Sequence, residues 1–235
     1  MKTAPPSALI LDKVSLQFAT RSQTISLFDG LSLRLEAGQS VAITGPSGVG
    51  KSSLLALAAG LETPGEGRAY CTCEGKTLTG DAMRSVTGFI FQQFHLLPEF
   101  NALQNLALPL RLRGDKQADA KAREWLDRVG LATRSQHKPA ELSGGEQQRI
   151  AIARALIAKP AFIFADEPTG NLDEETATRI AELLFESVRQ EGAGLLLVTH
   201  SEDLAGRADR WYRLASGTLS QVREPILPAY REQVA

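Results

Sequence analysis

The sequence has little that would mark a membrane-spanning, secreted or nucleic-acid-binding protein. Its longest apolar run, about Leu54–Leu61, is far shorter than the roughly 20 residues that a membrane-spanning helix requires. The formal net charge is −1, so no broad electrostatic attraction to nucleic acid is expected. No apolar leader follows Met1, since Pro5 and Pro6 come first. These absences predict a cytoplasmic chain that is found at a membrane only where a partner holds it.

Cysteine is scarce. The two cysteines, Cys71 and Cys73, stand two apart in a predicted strand, where their side chains share one face. A zinc site would need two more soft ligands, and His95, His137 and His200 do not have finger-like spacing. We therefore expect two reduced thiols and no metal at this pair.

Short apolar runs alternate with helical segments along the chain. Buried strands are predicted at residues 41–43, 89–91, 161–165 and 195–198. Helices are predicted from Lys51 to about Ala59, over about 176–190, and over most of 96–142 with breaks at Pro98, Pro109 and Gly114. Partial alternation over 9–18 and 28–35 predicts antiparallel strands. This order predicts an α/β fold with a mostly parallel sheet covered on both faces.

A glycine-rich segment after Val41–Ile43 fits the Walker A phosphate-loop pattern of glycine, four residues, then Gly-Lys-Ser. The segment is Gly45-Pro46-Ser47-Gly48-Val49-Gly50-Lys51-Ser52. Glycine lets the backbone wrap closely round phosphates, and the following helix turns its N-terminus toward the same anion. Lys51 is expected to reach the β- and γ-phosphates of a nucleoside triphosphate, and Ser52 to ligate Mg²⁺.

Two adjacent acids, Asp166 and Glu167, follow the apolar run Phe162–Ala165. The carboxyl end of such a strand places them at the sheet edge beside the phosphate loop. Asp166 suits a Mg²⁺ ion, and Glu167 can orient or deprotonate an attacking water. By itself the pair is weak evidence, because a helix N-cap could have the same sequence. Together with a Walker A segment it indicates hydrolysis.

Two polar residues end other apolar runs. Gln92 follows Phe89–Phe91, and His200 follows Leu195–Thr199. A lone histidine at a strand end is more often structural than catalytic. Because the strand before His200 is expected beside the strand that ends at Asp166, His200 can face the γ-phosphate. Gln92 is expected near the phosphates and Mg²⁺.

The ordered motifs resemble those of the nucleotide-binding subunits of ATP-binding-cassette (ABC) transporters over about residues 9–220. Asp173 resembles the family's D-loop aspartate, Gln92 its Q-loop and His200 its switch histidine. Phe18 stands where the family places an aromatic ring against adenine, with a core role as the alternative. Leu142-Ser143-Gly144-Gly145-Glu146-Gln147 resembles the family signature. Ser53 joins the Walker A residues in the ATP-binding set that the resemblance implies.

The resemblance implies a P-loop NTPase fold with ATP and Mg²⁺ as cofactors. That fold has a RecA-like parallel sheet with helices on both faces, an N-terminal antiparallel β subdomain and an inserted helical subdomain. The implied single domain has its core and β subdomain at 8–92 and 160–222, its helical subdomain at 93–159 and a loose tail at 224–235. The resemblance further implies a composite site, in which Ser143 and Gly145 of one subunit meet the γ-phosphate held by Lys51 of another. Both halves are intact in one sequence, which favours a homodimer.

Residues 94–98 and 165–173 resemble a narrower group, the ATPases of lipoprotein release, macrolide and peptide export, and cell division. This likeness implies integral-membrane permease partners, a location on the cytoplasmic face of the inner membrane and, for envelope work, a periplasmic partner. A groove for a permease helix is expected within Phe94–Leu112. The candidates for it are Phe94, Leu97, Phe100 and Leu103, with a role in the chain's own core as the alternative.

Other functional classes of the superfamily are less compatible with this sequence. A chromosome or DNA-repair ATPase would carry a long coiled-coil insertion, for which residues 96–142 are too short. A translation factor would carry two cassettes, and this sequence has one. An ATPase that signals mechanically to a periplasmic enzyme, with no transported substrate, stays open beside export.

Overall fold

A computed structural model describes residues 7–19 and 24–223 of the chain. These residues divide into two compact units. The first unit contains the described residues up to Ser85 and those from Gly194 onward, and the second is Val86–Ala193. Each unit has strands, helices and buried apolar side chains of its own.

Strands and helices alternate along most of the described chain. The strands are β1 (Ala8–Ala19), β2 (Thr24–Glu36), β3 (Ser40–Thr44), β4 (Glu66–Cys73), β5 (Lys76–Leu78), β6 (Thr87–Ile90), β7 (Phe162–Asp166), β8 (Gly194–Val198), β9 (Arg210–Ala215) and β10 (Thr218–Arg223). The helices are α1 (Lys51–Ala58), α2 (Asp81–Arg84), α3 (Ala102–Leu112), α4 (Ala118–Arg128), α5 (Gly144–Leu156), α6 (Glu174–Glu191) and α7 (Glu202–Ala205), with 3₁₀ turns at Ala132–Arg134 and Pro139–Glu141. Over the described residues, none of these helices is both long and apolar enough to cross a membrane.

An antiparallel sheet with strand order β2-β1-β4-β5 forms one part of the first unit. Its strands alternate as the sequence predicts. In β2, for example, Leu31, Leu33 and Leu35 are buried while Ser32 and Arg34 are exposed. One face of this sheet therefore packs into a core, because successive side chains of a strand point to opposite faces.

The rest of the first unit is built round the central strand β3. It pairs in parallel with β8 on one side and with β9 on the other, and β10 pairs antiparallel to β9. Every residue of β3 and β8 is buried, which explains why both read as continuous apolar runs. The position of β3 brings the loop that follows it to the same edge as the carboxyl end of β8.

The second unit combines the parallel pair β6 and β7 with the longer helices. Helix α6 buries Ile180, Leu184 and Val188, which recur every four residues along one face. Gly192 follows its last residue, and the left-handed conformation there (φ +67°) suits a residue without a side chain. The apolar residues before Asp166 are fully buried, so the acid emerges from the core at the end of β7.

The prediction that Pro109 breaks the helical stretch is wrong, because Pro109 lies inside α3. Proline removes one backbone donor from a helix and disfavours its interior. Here α3 buries one face, with Leu103, Leu106 and Leu110 at 6% exposure or less. Packing of that face offsets the lost hydrogen bond. Pro98 and Gly114 do lie outside the helices, as predicted.

The second unit extends beyond the helical subdomain that the resemblance implies for residues 93–159. It also includes β6, β7 and α6, which pack with α5 and with one another. The limits 93–159 therefore remain a prediction about an inserted helical region, and the compact unit around it is wider.

Candidate functional site

The glycine-rich loop joins buried β3 to α1 in the first unit. Gly48 and Gly50 have φ values of +77° and +102°, a region that side-chain-bearing residues rarely adopt. Gly45 lies so close to a neighbouring strand that a Cβ there would come within 2.4 Å of the carbonyl oxygen of Leu214. The loop thus requires glycine at these positions, and its bare backbone can approach a phosphate closely.

Lys51, the first residue of α1, folds back over the loop. Its Nζ donates to the carbonyl oxygens of Gly45, at 2.8 Å, and of Pro46, at 3.0 Å. Within α1, which is described throughout, no side chain caps the N-terminus and no acid lies in the first turn. The helix N–H groups and the ammonium therefore face the same side, where an anion would be attracted. Ser52 is exposed and Ser53 half-buried beside them.

His200 lies at the same edge of the first unit. The backbone N–H of Thr199 donates to the carbonyl oxygen of Ile43 at 3.1 Å, which continues the pairing of β8 with β3. Thr199 is fully buried and His200 is exposed. The exposed imidazole therefore follows directly from the strand next to the one that leads into the phosphate loop.

The two acids stand at the end of β7 in the second unit. Asp166 closes the strand, and Glu167 follows with a φ of +45°. A non-glycine residue in this left-handed region is strained and persists only where its surroundings hold it. One such contact is the N–H of Gly170, which donates to the Glu167 carbonyl oxygen at 3.0 Å. The backbone at the predicted catalytic acid is thus held in an uncommon conformation.

Gln92 is bound to the turn that follows the acids. Its side-chain nitrogen donates to Oδ1 of Asn171 at 3.1 Å, and Nδ2 of Asn171 donates to the Gln92 backbone carbonyl at 3.0 Å. Because the amide nitrogen of Gln92 is used in this way, its amide oxygen is the atom that it can offer a cation. Nothing in the sequence alone singles out Asn171 for this contact.

The signature segment forms the N-terminus of α5. The Ser143 hydroxyl accepts from the Glu146 N–H at 3.2 Å, and the Glu146 carboxylate accepts from the Ser143 N–H at 2.8 Å. This reciprocal capping box fixes where the helix begins. The pKa of Glu146 is lowered, chiefly because its carboxylate accepts that backbone N–H, and further by Arg134 at 3.0 Å. Gly144 and Gly145 leave the first turn without side chains.

Asp173 begins the neighbouring helix α6. Its carboxylate accepts from the Thr176 N–H at 3.0 Å, and this bond is the main reason that its pKa is lowered. A Cβ at Gly145 would come within 2.7 Å of Cγ2 of Thr176, so the starts of α5 and α6 lie side by side. A cavity of about 670 Å³ adjoins them, and its lining includes Arg128, Arg149 and Arg179.

The predicted site residues fall into two groups. The phosphate loop and His200 meet at one edge of the first unit. Gln92, Glu167, the signature segment and Asp173 come together in the second. Phe18 lies in β1 opposite Ile25, but its side chain is outside the described residues, so stacking on adenine stays a prediction.

The two thiols lie in the first unit on one face of β4. Their sulfur atoms are 4.0 Å apart, and both residues are buried. Burial, together with Cys73, raises the pKa of Cys71 to about 12. This thiol is therefore protonated at neutral pH and is a poor nucleophile and metal ligand. Among residues 7–19 and 24–223, no cluster of three or more His, Cys, Asp or Glu residues suits a metal ion.

Comparisons with known proteins agree with this arrangement. A family profile described as "ABC transporter" matches residues 28–170. The "Lipoprotein-releasing system ATP-binding protein LolD" of Acinetobacter baylyi is 46% identical over 208 residues, covering 85% of this chain and 91% of that protein. The protein of the same name from Hydrogenovibrio crunogenus is 46% identical over 220 residues, covering 90% and 96%.

Solved structures also match over nearly the full chain. One is described as a "Dimeric structure of a post-hydrolysis state of the ATP-binding cassette MJ0796 bound to ADP and Pi". It has a TM-score of 0.78 and 33% identity, and covers 92% of this chain and 99% of that one. A second, the "Dimeric Structure of MJ0796, a Bacterial ABC Transporter Cassette", matches with the same TM-score and identity.

Replacing Lys51 with alanine removes the cation that folds over the phosphate loop. We expect Lys51→Ala to weaken ATP binding and to lower ATP turnover at least about a hundredfold. Titration with a fluorescent ATP analogue and a phosphate-release assay measure the two effects. Lys76→Ala, on an exposed residue of β5, is the matched control and should behave as wild type. Turnover of Lys51→Ala within about threefold of wild type would exclude the assigned role.

Proposed function

This chain belongs to the ABC transporter family, and on that premise we propose how its residues divide the work of binding and hydrolysing ATP. It is an ATP-binding subunit and an ATPase with the P-loop NTPase fold, as its sequence predicts. The observation that carries the assignment is the loop between β3 and α1, with glycines that tolerate no side chain and Lys51 folded over it. The proposals concern its Mg²⁺ site, catalytic residues, membrane partner and cargo.

The phosphate loop holds the triphosphate of ATP through its backbone N–H groups, and Lys51 exchanges its two loop carbonyls for phosphate oxygens. The hydroxyl of Ser52, the carboxylate of Asp166 and the amide oxygen of Gln92 would hold Mg²⁺, since all three are hard oxygen ligands. When bound, the ion supplies positive charge at the β- and γ-phosphates. Glu167 orients the attacking water and accepts its proton, and His200 contacts the γ-phosphate.

A second copy of the chain completes the site. The N-terminus of α5 presents N–H groups and a positive dipole end that suit an anion, and Gly144 and Gly145 keep that surface bare. The γ-phosphate held by the partner's loop is an anion of the right kind. ATP then joins two subunits across two identical sites, and its hydrolysis separates them. Solved dimers of a similar cassette support this arrangement.

Replacement of Glu167 by glutamine separates binding from hydrolysis. The amide still forms hydrogen bonds but cannot accept a proton, so turnover should fall at least about a hundredfold while ATP still binds. The variant should therefore accumulate as a dimer when ATP and Mg²⁺ are present, which light scattering after size-exclusion chromatography measures. Glu174→Gln, on the exposed first turn of α6, should stay active. A Glu167→Gln variant that stays monomeric at saturating ATP argues against the two-subunit site.

The membrane partner docks near the start of α3. Gln92 contacts the turn after the acids, and the segment Phe94–Leu103 begins two residues later, so one short stretch joins the nucleotide site to the docking surface. Leu97 is 38% exposed, whereas Leu103 is 5% exposed and belongs to the core of the second unit. Leu103 is therefore corrected to a core residue, because α3 packs that face inward. Phe94 and Phe100 are half-buried and remain candidates.

Lipoproteins or a related envelope lipid are the cargo that the relatives favour, because those relatives are ATP-binding proteins of a lipoprotein-releasing system. The chain then works at the cytoplasmic face of the inner membrane with integral-membrane permease subunits and, in envelope work, a periplasmic partner. Replacing the ATPase of a lipoprotein-releasing system with this chain tests the cargo. Restored release of lipoproteins from spheroplasts supports it, and ATPase activity without release argues against it.

Two leucines of this region should respond differently to a charge. Leu97→Asp places a carboxylate in solvent, so the chain should fold and hydrolyse ATP normally but lose stimulation by the permease. Leu103→Asp buries an unpaired charge and should lower the free energy of unfolding by at least about 3 kcal/mol. Thermal unfolding and ATPase assays with and without the permease distinguish the two. If the permease stimulates the ATPase activity of Leu97→Asp normally, Leu97 does not belong to the docking surface.

A further inference from the structure

We infer that Gln148 is a positioning residue for Glu167, an inference that rests on the proposed role of Glu167. Gln148 lies on α5, the helix that begins with the signature, and its side chain is fully buried. Its amide nitrogen donates to the carbonyl oxygen of Pro168 at 2.5 Å. Pro168 directly follows Glu167, so this bond joins the signature helix to the backbone of the catalytic turn.

The chemistry of the amide fixes its orientation. A carbonyl oxygen can only accept, so the nitrogen of the Gln148 side chain must face Pro168 and its oxygen must face away. Within the described part of the chain, that buried oxygen accepts no hydrogen bond. Burying an unsatisfied acceptor opposes folding. Ala151 and Ile152, which share the helix face of Gln148, are buried and apolar. Packing alone would therefore favour an apolar side chain here, and the donor to Pro168 is what glutamine adds.

The turn that this bond holds is a strained one. Glu167 has a φ of +45°, and its carbonyl oxygen accepts from the Gly170 N–H at 3.0 Å. Gln148 binds the turn at Pro168, and Gln92 binds it at Asn171. The turn that follows the carboxylate-bearing residue is thus held at two points, Pro168 and Asn171. Loss of either hydrogen bond would let the backbone of Glu167 leave its left-handed conformation. Its carboxylate would then move away from the attacking water.

Helix α5 also connects the Gln148–Pro168 hydrogen bond to the signature segment. Ser143 caps α5, and Gln148 lies five residues later, within about 7.5 Å along the helix axis. A helix of this length moves as a rigid element. The first turn of α5, which meets the partner's ATP, therefore moves together with the Gln148 side chain. Binding of the second subunit thus aligns the carboxylate of Glu167.

Gln148→Met tests the inference, since methionine has a similar length and no hydrogen-bond donor. In the full chain we expect kcat to fall at least about tenfold, with KM and the dissociation constant for ATP within about twofold of wild type. The melting temperature should fall by only a few degrees, because the loss of the unsatisfied amide oxygen offsets the loss of the donor to the Pro168 carbonyl oxygen. Arg113→Met is the matched control. It removes the side-chain bond to the Ala158 carbonyl oxygen just beyond the other end of α5, and should keep normal kcat.

A double variant separates positioning from general loosening of the structure. If Gln148 acts through the acid, Gln148→Met should have little further effect on the residual rate of Glu167→Gln, so the two effects are not additive. Normal kcat in Gln148→Met, or a fall in melting temperature and ATP affinity with kcat per folded molecule unchanged, would overturn the inference. Full hydrolysis by Glu167→Gln alone would instead overturn the proposed role of the acid.

Discussion

Backbone N–H groups can surround a polyphosphate only where no side chain stands between them and the anion. The first unit is organised round that constraint. Gly48 and Gly50 adopt left-handed conformations, and Gly45 lies against the backbone of Leu214 with no room for a Cβ. The loop can take this shape because β3, buried between β8 and β9, fixes where it starts, and α1 fixes where it ends. His200 reaches the same edge because its strand is the neighbour of β3.

In the second unit, hydrogen bonds from polar side chains hold the turn that runs from Glu167 to Asp173. Glu167 begins this turn in a strained conformation. Gln148 binds the turn at Pro168 and Gln92 binds it at Asn171, and Asp173 ends it by capping α6. Each bond is local and small, yet together they leave the backbone few alternatives. The capping box at Ser143 fixes the start of α5 in the same way. The subunit thus has a phosphate loop in its first unit and a helix N-terminus with two glycines in its second.

The parts of the fold and site that the sequence predicts well are those that depend on local residue type and order. Glycine at set intervals before Lys51 and acids after an apolar strand each have a direct physical meaning. Strands β3, β7 and β8 and helices α1 and α6 lie close to the predicted residues. Contacts distant in sequence were not predictable. Pro109 is tolerated because α3 packs strongly, and Leu103 points into that packing. The bond between Gln148 and Pro168 joins residues 20 positions apart. No periodicity or motif indicates such a contact.

We propose that each active site contains the loop of one subunit and the signature of another. Mixing two inactive variants tests it most directly. Lys51→Ala disables the loop, and Ser143→Asp keeps a good helix cap while placing a negative charge against the γ-phosphate. A mixed dimer has one site with both defects and one with neither. We expect the mixture to regain ATPase activity that neither variant shows alone. A mixture that forms mixed dimers and remains as inactive as its components would contradict it.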